Sequence, residues 1–173
     1  MLRGCLLIWA LLASSPAQAL EEVYQAPERF VAEAFGGIAP KPRVLWLTKE
    51  VAAVATRILG HAPAGLRQRY WADGGRSVWV LEEIGKEEPI TAGFVVENGR
   101  IAQAQVLVYR ESRGAEIRYP AFLKQYQGAG LVEDERLDRS VDGISGATLS
   151  VRAMGRMARL ALYFDARHQQ EVK

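Results

Sequence analysis

Asn98-Gly99 stands between two strand-like runs, Ile90 to Glu97 and Arg100 to Tyr109. A two-residue hairpin turn needs positive φ at both central positions, which Asn-Gly tolerates best, so this stretch predicts two antiparallel strands. A second pair, Leu66 to Asp73 and Arg76 to Ile84, brackets Gly74-Gly75 in the same way. Four antiparallel strands in succession need helices to cover them, and the rest of the chain supplies helical patterns on both sides. The fold class expected is α+β, an antiparallel sheet of about four or more strands with helices packed on it and a long helix at the C-terminus. Trp71 and Trp79 fall inside the strands and read as core or cross-strand packing residues.

Upstream of the strands, residues 20–65 read as an N-terminal helical extension packed on a main domain of residues 66–173. Glu28 to Phe35 sets Phe30, Val31, Ala34 and Phe35 on one side of a short helix ended by Gly36-Gly37. Arg43 to Leu47 is a short strand or extended piece after Pro40 and Pro42. Thr48 then caps a helix whose stripe of Val51, Val54, Ala55, Ile58 and Leu59 is closed by Gly60. Such a stripe has to be buried somewhere, and the core is the natural place.

Residues 1–19 form a unit of their own. Arg3 supplies a positive start, Leu6 to Ala13 an apolar run, and Ala17-Gln18-Ala19 a small-x-small cleavage site. This is the pattern of a secretory signal peptide, and the run is shorter than the roughly 20 apolar residues that span a bilayer. The expected location is periplasmic or secreted, with no membrane-spanning segment after cleavage. Cys5 is the single cysteine and would leave with that segment, which excludes thiolate redox chemistry and thiolate metal sites from the mature chain. His61 and His168 lack companions at metal-ligand spacing and read as surface residues, so no metal site is expected. The net charge of +2 leaves no basic stripe, and no nucleic-acid partner is expected.

The stretch that carries chemistry is Asp142-Gly143-Ile144-Ser145-Gly146-Ala147-Thr148. Gly143 and Gly146 open backbone conformations closed to other residues, and Gly146-Ala147 leaves little bulk beside the Thr148 hydroxyl. Val151, Met154, Ala158 and Ala161 follow at helical spacing, so Thr148 sits at or next to a helix N-terminus. Two readings are open. The hydroxyl caps the helix, the simpler reading from spacing alone, or the positive end of the helix receives a phosphate there. Arg152, Arg156 and Arg159 lie on one side of the helix; only Arg152 is near enough to Thr148 to contact a phosphate, and the remainder read as a solvated face.

The run from Asp142 to Thr148 matches the pattern Asp-x-x-Ser/Thr-Gly-Ala-Thr/Ser and so resembles the FMN-binding domain family. That family includes the covalently flavinylated subunits of sodium-translocating NADH:quinone reductase and Rnf-type complexes. A second signature of the family, a Glu-Thr/Ser-x-Gly loop after an Asp/Asn-Gly hairpin and then a Pro-x-Phe helix, is similar to Glu111, Ser112, Gly114 and Phe122 here. The resemblance runs from about Gly75 to the C-terminus. Arg113 stands where a proline is common and Ala115-Glu116 where Leu-Gly is common, which implies a looser, more charged loop.

The resemblance implies FMN joined through a phosphoester to Thr148 by a flavin transferase that recognises Asp142, Ser145, Gly146 and Ala147. Ser150 is the second hydroxyl within reach. It further implies a ring lying between the 111–116 loop and the 145–148 turn, with Glu111 and Glu116 tuning its potential and Phe122 packing beside it. The function implied is an extracytoplasmic electron carrier working with a membrane-bound flavoprotein or quinol-linked partner. No separate catalytic residues are expected. A small flavin-dependent reductase and a flavin-free binding or accessory module are the other readings.

Overall fold

The computed structural model describes residues 21–171, and the expected signal peptide lies outside the described residues. Six strands form one antiparallel sheet in the order β1-β6-β5-β4-β3-β2. The four central strands are those the turn signals predict: β3 (Arg67–Asp73), β4 (Arg76–Ile84), β5 (Pro89–Glu97) and β6 (Arg100–Tyr109). Both hairpin turns carry the expected backbone, with φ of 55° and 83° at Gly74-Gly75 and 51° and 72° at Asn98-Gly99.

The two edges come from the N-terminal segment. β2 (Arg43–Trp46) pairs with β3, and the two-residue β1 (Glu22–Val23) pairs with the end of β6. Residues 22–59 therefore supply both edge strands and two helices, and much of their apolar surface joins the cores on either side of the sheet.

Each face of the sheet has its own cover. On one side lies α1 (Pro27–Ala34), whose Phe30, Val31 and Ala34 pack on Val78, Val95, Leu107 and Val108. The Phe30 ring occupies the space that a side chain at Gly93 would need: a Cβ there would lie 2.3 Å from the ring. On the other side lie α2 (Lys49–Leu59) and α4 (Thr148–Glu171), which pack on each other and on the central strands. Trp79 is fully buried in that second core, stacked on Tyr70 at 4.6 Å. α2 starts and stops as its sequence says, with the Thr48 hydroxyl accepting from the Val51 N–H and Gly60 left-handed at φ 83°.

The last turns of α4 depart from the surface reading of His168. It is 5% exposed, and its Nδ1 lies 3.0 Å from the Tyr70 hydroxyl; burial pushes its imidazole pKa down. One turn before it, buried Asp165 accepts from the Ser77 hydroxyl at 2.6 Å, and Ser77 in turn accepts from the Trp79 indole at 2.7 Å. These pairs satisfy polar groups inside the core and fix how α4 lies on the sheet. No helix among the described residues is long and apolar enough to cross a membrane.

Candidate flavin site at the start of α4

The turn that delivers the chain into α4 explains its small residues. The Ala147 N–H donates to the Ile144 carbonyl at 3.0 Å, closing a four-residue turn with Ser145 and Gly146 in the middle. Gly146, at the third position, has φ +84°, as a type II turn requires. Gly143 does not have positive φ, so of the two glycines only Gly146 is demanded by the backbone. Ala147 is 3% exposed and packs against the loop after β6.

Thr148 is the first helical residue and not the cap. The first helical bond, from the Val151 N–H, goes to the Ala147 carbonyl at 2.9 Å, which puts alanine at the capping position. Alanine has no side-chain acceptor. Among the described residues no side chain accepts from the N–H of Thr148, Leu149 or Ser150, and the Thr148 side chain is exposed. An uncapped helix start with three free donors suits an anion, and here the free hydroxyl of Thr148 stands beside them.

This helix start opens into a cleft of about 590 Å³ whose other wall is the loop after β6. Glu111, Ser112, Gly146, Ala147 and Thr148 meet there, together with Lys86, Arg113 and Leu149. Its volume lies within the roughly 300–1,000 Å³ common to small-molecule sites. A larger groove, about 720 Å³, runs along β6 beneath Tyr24 and Arg118 but holds none of the motif residues. The smaller cleft is the one with chemistry in it.

The loop wall is anchored at three points. Glu111 Oε1 accepts from the backbone N–H groups of Lys86, Glu87 (2.7 Å) and Glu88 (3.1 Å), so its carboxylate shapes the β4–β5 turn and brings Lys86 to the cleft. The Tyr109 hydroxyl donates to the Arg113 carbonyl and lies 3.1 Å from Ser150 Oγ. Burial pushes the Tyr109 phenol pKa up, which keeps it a donor. Gly114, at φ +89°, sits so close to the helix start that a Cβ would come within 2.9 Å of Ser150 Oγ and Tyr109 Oη and 3.3 Å of Ala147 Cβ. The loop expected to be loose from its Arg113 is therefore tied to the helix by Tyr109 and to the turn by Glu111.

The remaining candidate residues lie elsewhere. Phe122 is in the core, edge-on to Tyr126 at 5.7 Å, and does not line the cleft. Glu116 is exposed in the 3-10 turn Ala115–Arg118, outside the cleft lining. Asp142 and Ser145 are exposed on the approach to the turn, with the Asp142 N–H donating to Gln125 at 2.7 Å. Arg152 faces a different cleft, on the other side of α4. Ser150, the alternative hydroxyl, is 4% exposed and engaged with Tyr109, whereas Thr148 is exposed. Lys86 and Tyr109 were not legible as site residues, because their link to the motif exists only through Glu111 and Ser150, tens of residues away. The hairpin tip Gly85-Lys86-Glu87-Glu88 was the available signal for Lys86.

An uncapped helix start facing a cleft of small-molecule size can accept an anionic group. Residues 85–163 match the sequence model of the FMN-binding domain, a similarity that supports a flavin-binding role. The match takes in β5, β6, the 111–114 loop, the motif and most of α4. No curated protein is similar enough to the chain to count as a match. The residues of the cleft fit the group: free helix-start donors for its phosphate, Lys86 and Arg113 nearby, and no bulk at Gly146 or Ala147. Among the described residues no cluster of side chains could hold a metal ion.

Proposed function

We propose that FMN is held covalently, through a phosphoester to Thr148, and that the chain relays electrons between a membrane-bound flavoprotein or quinol-linked donor and an extracytoplasmic acceptor. The observation that carries this reading is the exposed Thr148 hydroxyl one residue inside an uncapped helix start. In the attachment step the Thr148 oxygen bonds to the FMN phosphorus of FAD, the pyrophosphate bond breaks, AMP leaves, and the hydroxyl proton is released. A flavin transferase would perform it, and the exposed Asp142, Ser145 and Gly146 offer that enzyme a surface to grip.

Bound flavin supplies the redox chemistry, and the protein supplies position and charge. The free N–H groups of Thr148, Leu149 and Ser150 face the phosphate end. Lys86 and Arg113 put positive charge on the cleft, and Leu149, 42% exposed, offers an apolar contact. Glu111 acts by holding the turn that carries Lys86. A covalent link retains the cofactor outside the cell, where lost FMN is not replaced.

The test is the intact mass and peptide map of the exported chain co-expressed with a flavin transferase. The expected result is the mass of one FMN less one water on the peptide containing Thr148, absent in Thr148→Ala. An unmodified Thr148 under those conditions would leave a noncovalent flavin protein.

A further inference from the structure

The sheet order leaves β6 without a neighbour over most of its outer side. β1 covers only Val108 and Tyr109. Beyond it the outer backbone bonds of β6 fall at two points: the Leu107 carbonyl accepts from the N–H groups of Tyr24 and Gln25, and Ile101 exchanges bonds with Gly128 and Ala129 at 2.7 and 2.8 Å. Between those points residues 102–106 have no backbone partner on that side among the described residues. Strand edges normally carry a guard, such as a lysine, a proline, a bulge or a covering segment. Ala102-Gln103-Ala104-Gln105-Val106 has neither charge nor proline. The two bulges of the β5–β6 ladder fall at its ends, and the successive pairs between them, from Ala92–Val106 to Val95–Gln103, are regular.

This bare edge is the floor of the groove of about 720 Å³. Every residue from Ala102 to Val106 lines it, although successive side chains of a strand point to opposite faces, so the strand is presented edge-on. Tyr24 stands at the Leu107 end and Gln127 at the Ile101 end, while α3 (Pro120–Leu123) and the Lys124 that follows it make the side wall. Such a run of antiparallel strand spans about 17 Å. Arg118 is committed, to Glu22 at 3.2 Å and to the Tyr24 hydroxyl at 2.8 Å. Lys124 is exposed, and its ammonium has no ion-pair or hydrogen-bond partner among the described residues. No carboxylate lines the groove.

We infer that the groove takes an extended segment of a partner protein, which adds a strand to the sheet along residues 102–106 and sets an acidic side chain beside Lys124. Main-chain bonds supply the affinity and the wall supplies the selection, as wherever a peptide extends a sheet. The chain already does this to itself: β1 is a two-residue strand laid on the same edge, and the added segment continues its line. A second copy fits less well. An edge-to-edge pair is symmetric, so it would set Tyr24 and the 120–124 wall of each copy against those of the other. A single extended chain meets no such obstacle, and the small side chains of Ala102 and Ala104 leave its approach to the backbone open. The inference is independent of what Thr148 carries.

The probe is the blocked peptide Thr-Val-Glu-Val-Thr-Glu, titrated into the purified chain and followed by backbone amide NMR. The shifts are expected to cluster at 102–106 and 123–127. Two analogues, N-methylated at alternate residues in the two possible phases, decide whether the main chain is what binds. Only one phase points its N–H groups at β6, so one analogue is expected to weaken by about tenfold or more and the other to bind like the parent. Lys124→Gln, at an exposed position whose side chain holds no other polar partner, is expected to weaken binding by about threefold without changing the fold. Equal affinity of the two analogues, shifts confined to another region, no shifts at about 1 mM peptide, or full affinity in Lys124→Gln would each overturn the inference. So would a dimer of the chain that the peptide dissociates, which would give the edge to a second copy.

Discussion

Thr48 and Thr148 both stand where a helix begins, and they do opposite things. Thr48 is the residue before α2; its hydroxyl accepts from the Val51 N–H, so both the hydroxyl and one orphan donor of the helix are consumed. Thr148 is one position later relative to α4. The capping place belongs to Ala147, the first-turn donors have no side-chain partner, and the hydroxyl is exposed. A shift of one residue converts a capping hydroxyl into an exposed one beside helix-start donors that no side chain caps. The price is an uncapped helix, tolerable here because α4 is anchored along its length by Met154, Met157, Ala158 and Ala161, all fully buried.

The comparison breaks most sharply if the two threonines are exchanged for alanine. Thr148→Ala is expected to lose all covalent flavin when co-expressed with a transferase, while the unfolding free energy of the flavin-free chain moves by no more than about 0.5 kcal/mol, as for an exposed side chain. Mass spectrometry and urea unfolding measure the two halves separately. A large loss of stability would return Thr148 to the role of a cap.

Gly114→Ala tests whether the loop wall depends on contact with the helix start. The added Cβ would meet Ser150 Oγ and Tyr109 Oη at 2.9 Å, at a backbone φ of +89° that alanine resists. Overpacking and left-handed strain together are expected to cost about 2–4 kcal/mol and to lower flavin occupancy. Gly146→Ala has the strain without the clash, since nothing lies within 4 Å, and is expected to cost about 1–2 kcal/mol. Denaturant unfolding of the two flavin-free variants gives the difference, and equal losses would mean the loop does not press on the helix.

How much of this was legible follows the range of the interaction. Asn98-Gly99, Gly74-Gly75, Thr48 and Gly60 act through bonds a few residues long, and their elements stand within one or two residues of where sequence places them. The 142–148 motif was legible for the same reason: its turn and helix start are local. The edge strand β1 was not, because two residues have no periodicity and it is defined only by pairing with Val108 and Tyr109; β2 falls where the sequence reads extended. Glu111 was readable as a site residue but not in its actual role, since its three donors sit on a turn 23 to 25 residues earlier. Phe122 and His168 were misread for the complementary reason. One looked like a cofactor contact and the other like part of a polar tail, and both are buried by partners distant in sequence.

Thr48→Ala is the counterpart expected to leave flavin attachment complete. Its cost is that of a lost cap, about 1 kcal/mol, read as a lower urea midpoint with unchanged slope. The effect should be confined to α2 and its packing on α4, so amide exchange would rise first at Val51, whose N–H loses its acceptor. Faster exchange at 148–150 instead would couple the two helix starts and remove the independence on which the comparison rests.

The smallest effect separates a helix start that merely lacks a cap from one shaped for an anion. In the flavin-free chain, inorganic phosphate should dock on the free N–H groups of Thr148, Leu149 and Ser150 and raise stability by about 0.3–1 kcal/mol. Flavin attached at Thr148 would already place a phosphate there, so the loaded chain should gain less from added phosphate than the flavin-free one. Chloride at equal ionic strength controls for screening, which weakens all surface charge interactions alike. A gain that chloride reproduces would come from screening of the net positive chain. A gain specific to phosphate and missing from the loaded protein would tie the uncapped donors to the same group that Thr148 is proposed to carry.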